Sequence, residues 1–339
     1  MNQYQNSEYS KQVYYRLIAL WVICEAFAGG IMHAAKLPFA GLIVSSLAIT
    51  CIILIAYYVP AKSAIIKATV IVAIFKLMLS PHSPPPAYIA VFFQGLMGQL
   101  LLINKRYFNI GAVILAVLSL VESAIQRILL LVIVYGSDLW KALNEFIRKL
   151  TNEKNITNYS LVIAMSYILL HAVIGIFVGI YAVRLAKRSS GWKNMYPSYM
   201  IDATHAASTI VTKKGNGGIK IKWVFVIIWL ALLVLYIQSY IYPTHAMIST
   251  GMIINILLRS VLIMLSWYLI VSPIVMLILK KALRSQQLQH RQEVNEVMLL
   301  LPQTRYIFKQ SFKLSENKKG ANRIKLFIKI LLINVLADQ

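Results

Sequence analysis

The sequence predicts an all-α, polytopic membrane protein with about eight transmembrane helices, both termini cytoplasmic and a basic amphipathic C-terminal tail. Three observations predict it. Residues 16–280 form a series of apolar stretches, each near or above the roughly 20 residues that a spanning helix needs. The 339-residue chain is 59% hydrophobic and 13% charged, about half the charged fraction of a soluble domain, with a mean hydropathy of +0.69. Its Lys and Arg residues collect in alternate loops. The apolar runs are continuous, which suits helices whose backbone groups are paired internally. Barrel strands would give short alternating segments.

The first span is expected over Leu17–Ala35, after a polar N-terminus that lacks the pattern of a cleavable signal. Pro38 opens the second, through Val59, and Pro60 separates it from a third over Ala64–Leu79. The run Ser80-Pro-His-Ser-Pro-Pro-Pro86 interrupts the helical pattern, because proline lacks an amide donor and restricts the residue before it. A fourth span covers Ala87–Ile103 and ends at Asn104-Lys105-Arg106. The fifth runs from Phe108 to Tyr135, followed by the loop 136–158 with an amphipathic stretch at Leu139–Leu150. The sixth is Tyr159–Val183. Residues 191–222 are polar and basic and read as a cytosolic linker between a six-helix module (1–190) and a two-helix module (223–281). The latter holds a seventh span, Trp223–Tyr242, and an eighth, Met247–Leu279. Residues 282–339 form the tail. There a helix from Ala282 to Leu301 is expected to stop before Pro302, and to be solvated or paired with another helix.

The formal charge is +23, from 34 Lys+Arg against 11 Asp+Glu. In a soluble protein that excess suggests nucleic acid. Here it follows the positive-inside rule and suits an anionic inner leaflet, so nucleic acid is not an expected partner. Lys11, Arg16, Lys62, Lys67, Lys105 and Arg106 fall inside if the N-terminus is cytoplasmic, as do the linker and tail. Lys36, the Pro-rich turn and loop 136–158 fall outside. This places the chain in the cell (inner) membrane. Cys24 and Cys51, the two cysteines, lie in apolar runs and do not form a disulfide framework.

Polar side chains inside spans are costly and carry the functional candidates. Glu25 and His33 lie in the first span, Gln94 and Gln99 in the fourth, Glu122, Gln126 and Arg127 in the fifth, His171 in the sixth and Arg259 in the eighth. Glu122 or Glu25 with Arg127 is a candidate helix-locking pair. The competing reading is a polar cavity for a small solute, built from spans four to six, with His82 of the Pro-rich turn as its gate. Ala26, Gly30 and Ala34 fall on one helical face, where small residues allow another helix to approach closely. That helix belongs either to this chain or to a partner subunit. In the tail, Ile324, Phe327, Ile328, Leu331 and Val335 share a face, with Arg323, Lys325 and Lys329 mostly elsewhere. The pattern suits a helix lying on the membrane surface or filling a partner groove. No phosphate-binding loop, metal-ligand spacing or nucleophile elbow is present, so neither a cofactor nor enzymatic activity is expected.

The segment Glu25-Ala-Phe-Ala-Gly-Gly-Ile-Met-His-Ala-Ala35 resembles the first helix of the substrate-binding S component of energy-coupling factor (ECF) transporters. The run Lys76-Leu-Met-Leu-Ser-Pro-His-Ser-Pro-Pro-Pro86, through Phe92-Phe-Gln-Gly-Leu-Met-Gly98, is similar to a loop and fourth helix of S-like proteins. The resemblance covers roughly residues 12–190. It implies a vitamin or micronutrient as solute, a transmembrane coupling subunit and a pair of cytosolic ATPases. It also implies that Gln94, Gln99, Glu122, Gln126, Arg127 and His171 lie near the ligand. The C-terminal extension loosely resembles part of a coupling (T) subunit but lacks the Ala-Arg-Gly signature by which those subunits meet the ATPases. Two other functions stay open: a non-transporting scaffold that recruits proteins through its tail, and a membrane enzyme acting on lipid or isoprenoid substrates.

Overall fold

Helix α1 (Ser7–Ile23) is enclosed by protein from Val13 onward. From Leu17 to Cys24 no residue exceeds 5% exposure. A helix that is apolar on all sides demands such enclosure. The computed structural model describes residues 7–28, 40–80, 83–152, 158–202, 230–231, 233–235, 237–238, 240–242 and 248–337. Every regular element among them is helical. A π-helical turn, Cys24–Ala28, extends α1. α2 (Ala40–Tyr58), α3 (Ala64–Leu79), α4 (Pro85–Leu102), α5 (Phe108–Thr151) and α6 (Tyr159–Ser189) follow, then the short α7 (Trp192–Met195). α8 (Thr250–Ser266) runs through a π-helical turn at Trp267–Val271 into α9 (Ser272–Gln289). α10 (Arg291–Leu314) and α11 (Gly320–Val335) complete the chain.

Among the described residues, four helical stretches are long and apolar enough to cross a bilayer: Gly41–Tyr58, Pro85–Leu102, Lys105–Thr151 and Tyr159–Ser189. α4 starts on Pro84-Pro85-Pro86, with proline at its first positions, where the missing amide costs nothing and φ is already set. α5 is interrupted at Gly136, which has φ 73° and ψ −169°, a conformation open in practice to glycine alone.

The helices fall into two units. The first comprises the described residues of 1–120, 172–212 and 278–339. In it α1 packs against α2, α3, α10 and α11. Its Tyr14 Oη donates to the Ala64 carbonyl at 2.9 Å, and Arg16 donates to the Ala337 carbonyl. Burial pushes the Tyr14 hydroxyl well above its ordinary pKa, helped by Tyr15 and Glu293 nearby. Tyr58 at the end of α2 bonds the Ser189 hydroxyl (2.8 Å) and the Ala186 carbonyl (3.1 Å) at the end of α6. Within this unit α5 and α6 meet at their backbones. A Cβ on Gly175 or Gly179 would lie 2.7 Å from the Cα of Val117 or Val113 respectively. The four-residue spacing of these glycines is the small-residue contact favoured between helices in lipid.

The second unit comprises the described residues of 121–171 and 213–277. Its core gathers Tyr135 and Ala142 from α5 with Ile248, Ile253 and Ile256. Arg259 lies against the break in α5, where a Cβ on Gly136 would come within 2.7 Å of its guanidinium carbon. The division cuts across the composition-based modules, since the tail helices belong to the same unit as α1.

Two expectations change here. The helix expected to stop before Pro302 runs on to Leu314 as α10. Proline in a helix interior costs about 3 kcal/mol. The buried stripe Val294, Val297, Leu301, Thr304, Ile307 and Ser311 continues on both sides of it, and tertiary burial of such a stripe dominates helix stability. In addition, the linker's first residues are ordered against the tail. Asn334 of α11 is fully buried. Its Nδ2 donates to the carbonyls of Tyr199 (2.9 Å) and Ile330 (2.8 Å), and its Oδ1 accepts from the Ile201 amide (2.7 Å).

Candidate functional site

A buried ion pair lies in the first unit. The π-helical turn after α1 carries Glu25, and the last turn of α3 carries Lys76. Lys76 Nζ is 2.6 Å from Glu25 Oε2, with the two side chains 8% and 4% exposed. π-helical turns are rare and cluster at functional sites, because the extra residue re-aims the side chains around it. Without that turn α1 would present a different residue toward α3.

Both charges need further partners, because a buried ion left unsatisfied costs several kcal/mol. Lys76 finds one in the Ala87 carbonyl, 3.3 Å away at the start of α4. The Tyr88 ring lies beside it, 6.0 Å from Nζ to centroid. The Tyr88 hydroxyl is buried and has no hydrogen-bond partner among the described residues. Further along the inward face of α4, past Val91, lies Gln94, about 9 Å beyond Tyr88 at 1.5 Å per residue. Its Nε2 donates to the Ser45 hydroxyl of α2 at 3.2 Å. Its Oε1 is buried without a partner among the described residues. Buried polar atoms of this kind are few in folded proteins and call for an explanation. α4 thus turns a phenol oxygen and an amide oxygen inward near a compensated pair of charges. Fixed in place, the four groups offer donors and acceptors without net charge.

The other expected residues are distributed as follows. Gln99, on α4 in the same unit, donates to the Lys62 carbonyl. Glu122, Gln126, Arg127 and His171 belong to the second unit. Gln126 donates to Glu122, Arg127 is exposed, and His171 bonds the Tyr167 carbonyl through Nδ1 at 2.9 Å. Glu25, one of two candidate carboxylates for Arg127, takes Lys76 as its partner, because its carboxylate emerges beside α3. Ala26 is buried in the first unit. Gly30, Ala34, His33 and His82 lie outside the described residues.

In the tail, Phe327 packs edge-on against Phe308 and Phe312, with centroids 5.1 and 6.0 Å apart. Lys329 sits over the Tyr196 ring at 3.1 Å. Residues 330–337 are buried. Protein therefore covers the C-terminal half of the face expected to lie on a leaflet, and Ile324 and Lys325 in the first turns are exposed.

The Glu25–Lys76 pairing was hidden from sequence reasoning. A signal existed: each is an ionisable residue in an apolar run, and such residues find each other in lipid. Which cation meets which carboxylate depended on the π-helical turn, and nothing in the sequence marks it. Comparison with family models, with curated proteins and with solved structures finds no match for this chain.

Proposed function

We propose that this chain is a multi-pass subunit of the cell's inner membrane that captures a small polar solute of the vitamin or micronutrient class from outside. A partner ATPase would supply the energy, acting through a transmembrane coupling subunit. The reading takes eight spans with both termini cytoplasmic. One observation carries it: a fully enclosed Glu25–Lys76 pair on the helical unit that also holds the unpartnered oxygens of Tyr88 and Gln94. Ionisable groups inside an apolar bundle are expensive, and by default they mark a solute path or site. The neutral sum of the pair favours a neutral or zwitterionic solute, whose own donors would satisfy the Tyr88 and Gln94 oxygens.

The rival use of the pair is a structural lock, and a double substitution separates the two. Removing one partner of a buried pair costs roughly 3–5 kcal/mol, whereas replacing both by apolar groups is often neutral. Mass spectrometry should find a small molecule co-purifying with the unmodified protein, and Lys76→Met should abolish it and lower the thermal midpoint in detergent. Glu25→Leu with Lys76→Met should restore the midpoint and leave the solute absent. A solute retained by the double variant would sink the reading, as would a gently purified protein that carries none.

A further inference from the structure

The turn between α10 and α11 combines a rigid apolar tip with concentrated positive charge. We propose that it is a docking surface for an anionic lipid leaflet. The inference rests on the membrane residence argued above but not on solute capture. It also moves the lipid contact from the length of the tail helix to this tip.

Phe312, Leu314 and Ile324 are 50%, 46% and 61% exposed. They flank the turn Ser315–Asn317. Around them, residues 312–325 carry five cations (Lys313, Lys318, Lys319, Arg323 and Lys325) against the single carboxylate of Glu316. That carboxylate already faces Arg323 at 3.4 Å, so it does little to oppose an approaching anion.

The tip is held in shape. Ser315 is fully buried and its hydroxyl donates to the Phe312 carbonyl at 2.7 Å. The Lys318 amide donates back to the Ser315 carbonyl at 3.2 Å. The Arg323 guanidinium lies 4.5 Å from the centre of the Phe312 ring, and Phe327 meets the same ring edge-on. Exposed apolar side chains usually fold back to reduce contact with water. The Phe312 ring is fixed by its two neighbours, so little conformational freedom remains for it to lose when a surface receives it.

Phosphate chemistry would recognise the lysines, and two polyanions present it. A nucleic acid would use the aromatic ring for base stacking, but Arg323 and Phe327 already flank Phe312, and Leu314 and Ile324 cannot stack. An acyl-headgroup boundary takes all three side chains, while each lysine near an anionic leaflet adds to the attraction.

The test places an environment-sensitive fluorophore on the full chain at Ile324→Cys. Cys24 and Cys51 are buried, and labelling of the unsubstituted chain measures their background. The labelled protein is reconstituted in nanodiscs of phosphatidylcholine alone, or of an equal mixture with phosphatidylglycerol. The expected result is a blue-shifted emission, with quenching by lipid-borne quencher, in the anionic discs only. Lys318→Glu with Lys319→Glu, both exposed, should abolish that shift while leaving the thermal midpoint unchanged. Emission that reports water in both discs overturns the proposal, as does a shift that survives the double charge reversal. A shift produced only by adding a single-stranded oligonucleotide also overturns it, in favour of a nucleic-acid partner. If the chain will not enter nanodiscs, membrane residence itself has failed. Cosedimentation with vesicles of the same two compositions then decides the surface alone.

Discussion

Single polar side chains decide how this protein holds together. Asn334 is the clearest case, since two of its hydrogen bonds join the segment after α7 to the last helix. Leaving a buried donor or acceptor unpaired costs about 1–3 kcal/mol each. Asn334→Ala should therefore lower the thermal midpoint in detergent and speed proteolysis near residues 197–201. An unchanged cleavage rate would mean that the segment is held by its rings alone. The residue was readable only in part. An asparagine among Ile330, Leu331 and Val335 stands out as polar on an apolar helix, yet its partners lie more than 130 positions earlier, at Tyr199 and Ile201. Lys76 teaches the same lesson. Its presence in an apolar run was a signal left unused, and its partner depended on a local change of helical winding.

At the level of elements, apolar runs and breaks were enough to delimit helices. The third span was expected over Ala64–Leu79, and α3 has those limits. The expected end of the fifth at Tyr135 coincides with the break at Gly136. Prolines and glycines punctuate sequence for local steric reasons, so these boundaries do not depend on the rest of the fold. Pro302 misled for the complementary reason: the buried stripe on α10 outweighs a local penalty. The contact of α6 with α5 is a packing feature with a sequence trace, Gly175 and Gly179, that was overlooked among the candidate small-residue faces. Gly179→Val must push Val113 backbone atoms away, and overpacking of this kind costs about 1–3 kcal/mol. The variant should show a lower midpoint, and a cysteine crosslink between positions 112 and 179 of the otherwise unmodified chain should slow when Gly175→Val is added. A crosslinking rate unaffected by the extra bulk at a neighbouring position, Gly175→Val, would argue against close backbone packing.

For the whole molecule, composition pointed to a helical membrane protein, and four apolar helices among the described residues have the length to span a membrane. The arrangement of the tail could not be read the same way. Amphipathic helices look alike in sequence whether a leaflet or another helix covers them. Here α10 and α11 pack on α1. Deleting residues 320–339 should therefore destabilise the entire first unit, seen as aggregation or loss of a sharp melting transition. A normal melt with only a bound partner released would favour a recruiting tail instead. The proposed topology has its own check. A cysteine introduced at residue 339 should react with a membrane-impermeant maleimide only after the cell membrane is opened, and labelling of intact cells would reverse the orientation.

The link from Arg16 to the Ala337 carbonyl joins residues 321 positions apart. A ribosome adding about 5–20 residues per second needs roughly 15–65 s to make that interval. Throughout it, α2 and α3 can already pack on the first helix, but the face that α10 and α11 cover stays open. Chains cut short before this segment lack that cover, and the open face gives the cell a criterion for destroying them.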